Sequence, residues 1–576
     1  MPKTIRRRPA LTNPVVNLPV DPLIQNLYLS RGVESEQELD MALKALHSPA
    51  LMKDLFSAAT LLFNAINTGK RIIVVGDFDA DGATSTAVMM EGLALLGSEN
   101  HDYLVPNRFE YGYGLTPEIA QLALAKGAQL LITVDNGISC TQGVKVAKDG
   151  GAQVIVTDHH LPGESLPDAD AIVNPNQRDC EFPSKSIAGV GVAFYLLLAL
   201  RKKMREDNWL QQRGLAEPNL AQLLDLVALG TVADVVTLDQ NNRILVSQGI
   251  KRIRSGLTRP GISALFEVAK KNPQRIQASD FGFALGPRLN AAGRLDDMAL
   301  GIQCLLAQDL NQARVIAMEL DHLNKARREI EQGMQEEAER VLTQLDFSGE
   351  SLPSGIALYR DDWHQGVIGI VAGRIKEKYH RPTIVFAGGS DGEIKGSARS
   401  IPGLHIRDLL EHIDSQHPGL IMKFGGHAMA AGLSIEEADF ARFQTLFDQL
   451  ANQWLTQDML ENSVLSDGPL SLPQMSEQHC ELIESAGPWG QNFPEPIFDN
   501  IFELVQQRLL SGKHLKMVLR FEDQVFDAIA FNIDPNIWPD EQIRFVHLAY
   551  KLDINEFRGK RNLQLMVEHI EPASAQ

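Results

Sequence analysis

Three aspartates on alternate positions, Asp77, Asp79 and Asp81, stand in the stretch RIIVVGDFDADGATST, directly behind a run of β-branched residues. Further along, LLITVD closes on Asp135, VIVTD closes on Asp158 followed by His159 and His160, and LGTVADVV carries Asp234. Carboxylates packed together repel, and desolvation suppresses their ionisation further, so such a cluster calls for cations. Hard carboxylate oxygens mixed with imidazole, without thiolate, suit Mn²⁺ or Mg²⁺ better than structural zinc. Two such ions close together can activate a water and stabilise both the entering and the leaving oxygen of an in-line phosphoryl displacement. D-x-D-x-D-G also opens an EF-hand loop, but the twelfth loop position is Val88 instead of Glu, and a strand precedes the motif where a helix is needed. A solvated turn would account for DADG alone. It does not account for the other acid-ended runs.

The elements that must bring these groups together follow from hydrophobic patterning. Between about residues 70 and 235, RIIVVGD, DYLVP, AQLLITVD, AQVIVTD and LLDLVALGTVAD alternate with helical stretches. Short Val- and Ile-rich strands separated by helices predict an α/β domain with a parallel sheet and helices on both faces. Ligands of such sheets bind beyond the carboxyl ends of the strands, where the acids should converge. From about 307 to 345 apolar residues recur at intervals of three and four, as Leu310, Ala313, Ala317 and Leu320 do, predicting a long connecting helix. SGIALYR and PTIVFAGG then mark a smaller α/β unit. Beyond about 497 five strand-like runs, from IFELVQQRLL to LQLMVEHI, predict a small OB-like β-barrel. The expected division is 1–50 an N-terminal extension, 51–306 the catalytic domain, 307–345 the helix, 346–458 the smaller domain and 459–576 the barrel domain, with disorder confined to the ends.

Composition narrows the class. A chain of 576 residues is too long for one core and reads as multidomain. The four cysteines are far apart and form no C-x-x-C pair, which fits a reducing cytoplasm. The greasiest run, VGVAFYLLLAL, is too short to span a bilayer and reads as a buried helix, so no membrane association is expected. A net charge of −19 argues against a uniformly basic nucleic-acid coat but leaves room for a local positive groove. Gly189-Val190-Gly191 lacks the third glycine of a dinucleotide fingerprint and reads as close helix packing, while Thr68-Gly69-Lys70 lacks the upstream glycine of a P-loop. With no ATP site evident, duplex would have to be opened by a separate helicase.

Together VTDHH, Asp79-Ala80-Asp81, Asp135 and Asp234 resemble the DHH superfamily of phosphoesterases, and FGGHAMAAGL resembles its companion DHHA1 domain. NRFEYGYGL, PRLNAAGRL, WHQGVIGIVAGR and KGSARS are similar to the RecJ family of single-strand-specific 5′-to-3′ exonucleases, over about residues 50 to 570. The resemblance implies that Asp79, Asp81, Asp135, His159 and Asp234 ligate two divalent ions, with Asp135 bridging, and that His160 lies near the ions and the scissile phosphate. Asp158 is expected to orient an imidazole. Many superfamily members carry a histidine where this chain has Val75, and Asp77 can substitute for it. The same resemblance places Arg108, Ser397 and Arg399 at the 5′-terminal phosphate and His427, with Gly425 and Gly426, against the substrate. Arg288, Asn290 and Arg294 could line the passage, and Phe109, Tyr111 and Tyr113 could stack bases, although aromatics at strand spacing also serve cores.

The expected activity is degradation of single-stranded DNA from the 5′ end to 5′ mononucleotides, in recombination and repair, by a cytoplasmic monomer working with single-strand-binding protein and a helicase. Two rivals remain: a phosphodiesterase for short oligonucleotides or cyclic dinucleotides, and a noncatalytic single-strand-binding protein on the same fold. The β-rich C-terminal unit favours a longer polymer over the first, and the complete ligand set argues against the second.

Overall fold

The computed structural model describes residues 3–9, 16–107, 110–347, 352–389, 392–535, 537–557 and 560–574. They fall into two compact units. The first runs to Asn324 and includes Leu482–Glu495; the second takes Lys325–Glu481, the chain from Pro496 onward and the N-terminal strand.

In the first unit five parallel strands lie in the order His101–Leu104, Ile72–Val75, Leu130–Val134, Gln153–Thr157, Ala171–Val173. Ile72 to Val75 are all buried, as are Leu130 to Val134, which is why these strands read as continuous apolar runs. Helices cover both faces, and two separate apolar clusters mark the two layers. The short strand Ala171–Val173 carries too few residues to stand out in the sequence.

One expected sheet element is corrected. LLDLVALGTVA forms a helix over Leu224–Ala233, so Asp234 arrives at a helix C-terminus. Leu224 through Thr231 are all buried, and a helix enclosed on every side has no polar stripe to distinguish it from a buried strand. The segment Leu482–Glu495 docks on this unit through Trp489 and Phe493, which stack at 5.2 Å, and through Tyr28 Oη, which donates to Ala486 O at 2.8 Å.

The connecting helix spans Leu310–Phe347. In the second unit a five-stranded sheet has the order Lys423–Gly426, Ala430–Glu436, Glu393–Arg399, Thr383–Gly388, Ile356–Arg360. The strands Phe498–Leu510, His514–Phe521, Gln524–Ala530, Lys560–Ala573 and Phe545–Phe557 close a barrel, as the five β-rich runs predict. The N-terminal end, expected to be disordered, instead contributes Thr4–Arg7 as a strand parallel to Ser463–Ser466. Arg7 anchors it, with Nη2 2.8 Å from the buried Asp499 carboxylate, which Ser466 and His547 also contact. No described helix is long and apolar enough to cross a membrane.

Candidate active site

The acidic loop follows the buried strand Ile72–Val75 and turns at once into the helix Ala80–Leu95. Two glycines make the turn possible: a methyl group at Gly76 would lie 2.1 Å from Thr86 Oγ1, and one at Gly82 would lie 2.5 Å from Asp77 O. Asp79 caps the helix, its Oδ1 accepting from Gly82 N at 3.0 Å. Asp81, in the first turn, is fully buried and accepts from Gly189 N at 2.7 Å and Val190 N at 3.0 Å. Those amides open the helix Gly189–Glu206, whose positive end favours a carboxylate. The packing role expected of these glycines holds for Gly191, where a methyl would meet Ile187 Cγ1 at 2.5 Å. Gly189 does something else: a methyl there would sit 2.5 Å from Asp135 Oδ1, so its bare backbone lets two acids approach one helix end.

Asp135 follows its strand with φ at +62°, a left-handed conformation that Asp and Asn tolerate. Asn136 Nδ2 donates to Val75 O at 3.1 Å and Val134 O at 2.9 Å, tying together the two strand ends that present the acids. After the strand Gln153–Thr157, Asp158 accepts from Ile138 N at 2.9 Å and His159 N at 2.7 Å, and holds His160 Nδ1 at 2.7 Å. The imidazole it orients is therefore that of His160. Asn174 Nδ2 donates to His160 O at 2.9 Å and Asn176 Nδ2 to His159 O at 2.6 Å, fixing the backbone of the histidine pair. Sequence reasoning missed these asparagines; the signal was VNPNQ, two amides directly behind a strand. Tyr113, expected to touch substrate, donates its hydroxyl to Asp135 O at 3.2 Å and sets its ring edge-on to both Phe78 and His160 at 5.9 Å.

The donor atoms converge. One atom each from Asp77, Asp79 and Asp135 lie within 4.8 Å of one another, and the same holds for Asp81, His159 and Asp234, and for Asp135, His159 and His160. His159 Nε2 is 3.2 Å from Asp135 Oδ1 and 3.4 Å from Asp234 Oδ2. Those two oxygens are buried and accept no hydrogen bond, which leaves them available to a cation. Oxygen-rich donors with one shared carboxylate fit hard divalent ions. Asp77 belongs to one of these donor sets, with Asp79 and Asp135.

Electrostatics tell the same story. Burial, then Asp81 and Asp79, holds the Asp135 carboxyl well above the usual carboxylate range, and burial with Asp81 does the same to Asp234. Asp81 is pushed to about 7 by burial and Asp79 against the opposing pull of the Val190 and Gly189 amides. For His160, burial alone would lower the pKa, but Asp158, Asp234 and Asp77 raise it to about 9.

In the second unit, WHQGVIGIVAGR and KGSARS meet. Arg399, at the end of the strand Glu393–Arg399, donates through Nη1 to Ser397 Oγ at 3.1 Å and to Ala398 O at 2.8 Å. A methyl at Gly369, in the first turn of the helix Ile368–Tyr379, would come within 2.9 Å of Arg399 Nη2 and 2.8 Å of Ser397 Oγ. A guanidinium, a hydroxyl and a helix N-terminus thus share one small space, the chemistry of an anion cradle. No carboxylate of the described residues pairs with Arg399, and burial lowers its pKa. Gly425 and Gly426 end the strand Lys423–Gly426, and His427 sits exposed in the hairpin that returns through Ala430–Glu436. Gly426 has φ at +151°, and a methyl there would meet Ala430 O at 2.5 Å.

The remaining expected contacts fall out differently. Arg288 is engaged within the protein: Asp321 takes its Nε at 2.9 Å and its Nη2 at 2.8 Å, and Ala284 O takes Nη1 at 2.6 Å, so the guanidinium ties the helix Gly286–Leu295 to the helix Leu310–Phe347. Asn290 Oδ1 accepts from Ala80 N at 2.8 Å and positions the acidic loop. Arg294 is partly buried in the last turn of the helix Gly286–Leu295. Arg108 and Phe109 lie outside the described residues.

With this geometry in hand, the sequence matches three family models: the DHH family N-terminal domain over residues 71–231, the DHHA1 domain over 353–453 and the RecJ OB domain over 466–569. It is 58% identical over 574 residues to the single-stranded-DNA-specific exonuclease RecJ of Salmonella typhimurium, covering 99% of each chain. The fold is similar to that of RecJ from Thermus thermophilus in complex with Mn²⁺, with a TM-score of 0.79 and 30% identity, over 96% of this chain and 76% of that one. The Mg²⁺ complex of the Thermus protein gives a TM-score of 0.72 at 28% identity, over 96% and 75%.

Proposed function

This chain belongs to the RecJ family of single-stranded-DNA-specific exonucleases, and on that premise we propose how its residues divide the work. It is a metal-dependent nuclease for single-stranded DNA. Asp77, Asp79, Asp81, Asp135, His159 and Asp234 would hold two divalent ions, and Asp135 and His159, each present in two donor sets, would be shared. The observation that carries this assignment is the overlap of the donor sets, which share Asp135 and His159. When bound, such ions supply an activated water and offset the charge that builds on the phosphodiester.

The protein's own groups do the rest. The Gly189 and Val190 amides fix Asp81, and Asn136 fixes the strand ends, so the carboxylates are preorganised before substrate arrives. Asp158 keeps the His160 imidazole pointed, which supplies a hydrogen-bond donor for a non-bridging phosphate oxygen. Ser397 and Arg399 take the 5′-terminal phosphate, whose extra charge suits a guanidinium that has no carboxylate partner among the described residues. Gly425, Gly426 and His427 bring the hairpin against the strand. End capture at that cradle sets 5′-to-3′ travel and the release of 5′ mononucleotides. The enzyme acts in the cytoplasm as a monomer, on strands opened by a helicase and handed over with single-strand-binding protein.

A panel of substrates tests the proposal. With Mn²⁺ or Mg²⁺ the protein should shorten a 3′-labelled single strand progressively from its 5′ end, leave the annealed duplex intact and lose activity in EDTA. Cleavage confined to a dinucleotide would favour a short-oligonucleotide phosphodiesterase. Binding without cleavage under every metal would favour a noncatalytic protein.

A further inference from the structure

We propose that Phe283 is the stacking platform for a base flanking the scissile phosphate, an inference that rests on the exonuclease reading of the metal centre. Phe283 is 82% exposed, while its neighbours Phe281, Ala284 and Leu285 are buried. It lies on a single π-helical turn, Phe281–Leu285, that runs directly into the helix Gly286–Leu295. Turns of this kind are rare and gather at functional sites. A lone exposed phenyl ring would mean little by itself. Its place in the fold gives it meaning.

The π turn packs on the end of the helix that delivers Asp234. A methyl at Gly282 would lie 3.6 Å from Val232 Cγ1, and one at Gly286 would lie 3.2 Å from Ala233 Cβ. The residue after Asp234 is Val235, 62% exposed and held at φ +60°. That conformation is an outlier for a β-branched side chain, and strain of this sort persists where surroundings enforce it, commonly beside ligands. At its other end the same helical stretch holds the acidic loop: Asn290 Oδ1 accepts from Ala80 N, and Gly293 lies so close to Phe78 O that a methyl would sit 1.8 Å away. Residues 281–295 therefore touch both the loop of Asp77 to Asp81 and the helix of Asp234. Phe283 and Val235 are exposed apolar groups beside the helix end that carries Asp234.

The occupant follows from that continuity. Substrate at the metal centre is single-stranded DNA, whose unpaired bases offer apolar faces beside each phosphate. An aromatic face stacks on any of the four bases, which suits an enzyme that must accept every sequence it meets. Val235 would flank the stacked base.

The test compares kcat/KM of wild type, Phe283→Ala and Phe283→Tyr on a single strand and on the same strand carrying abasic nucleotides. Phe283→Ala should lose about tenfold on the intact strand, the loss of one stacking contact. Phe283→Tyr should keep most of the activity, and the gap between wild type and Phe283→Ala should vanish on the abasic strand. All three proteins should melt together, since the ring buries little. No loss on the intact strand, or an equal loss on both strands, would overturn the inference. A wild type inactive on both strands would overturn the exonuclease reading, and this inference with it.

Discussion

Asp135→Asn is expected to lower cleavage of single-stranded DNA by at least about a thousandfold while raising the melting temperature of the metal-free protein. The two effects have one cause. Asp135 is buried among Asp81, Asp79, Asp234 and Asp77, and its carboxyl is held well above the usual range by burial and by that crowd. A folded-state pKa above the unfolded one contributes stability that is complete at low pH and is lost as pH rises through the folded value. In EDTA the contribution of Asp135 and Asp81 to wild-type stability should therefore fall as pH rises above about 4, with Asp81 contributing up to its value of about 7. Asparagine removes a charge from the cluster and tolerates the +62° φ at this position, so the fold is kept. At pH 8 in EDTA we expect the variant to melt roughly 5 °C higher than wild type, and Mn²⁺ to stabilise wild type much more than the variant. Melting curves with and without Mn²⁺, alongside a nuclease assay, check both halves. A variant that cleaves normally would remove Asp135 from the metal centre.

Arg399→Ala is the second large effect. Its guanidinium has Ser397 Oγ and Ala398 O as partners and no carboxylate of the described residues, so an anion is the missing counter-charge. A charge-assisted contact of this type is worth about 1.5–3 kcal/mol, a loss of about 10- to 150-fold. Wild type should prefer a 5′-phosphorylated strand to a 5′-hydroxyl strand, and the variant should lose most of that preference by slowing on the phosphorylated one. Arg399→Lys should fall between them, because an ammonium keeps the charge without the planar fork. The ratio of kcat/KM on the two strands is the measurement, and an unchanged ratio would free Arg399 from the 5′ end.

Much of the site was legible because strands buried on both faces read as apolar runs, and acids at their ends cannot be mistaken for core. The runs ending at Asp77, Asp135 and Asp158 are of this kind. Asp234 was legible as an acid but its carrier was not, since Leu224–Thr231 is buried on all sides and shows neither period clearly. Contacts between distant segments left little local trace. Gly189 reaches Asp81 from 108 positions away, and Asn176 holds the backbone of His159 from a loop whose composition reads only as a turn. Arg288 reads in the sequence as a candidate groove residue, and its pairing with Asp321, 33 residues on, is visible only in the fold. The strand Thr4–Arg7 was hidden for the same reason, its partner Ser463–Ser466 lying near the other end of the chain.

The most direct measurement is an anomalous-scattering map from crystals of the protein grown with Mn²⁺. Two peaks are expected about 3.5–4 Å apart, enclosed by Asp77, Asp79, Asp81, Asp135, His159 and Asp234, with the Asp135 carboxylate between them. A map with no peak among those side chains, or with the acids splayed into solvent around empty density, would contradict it.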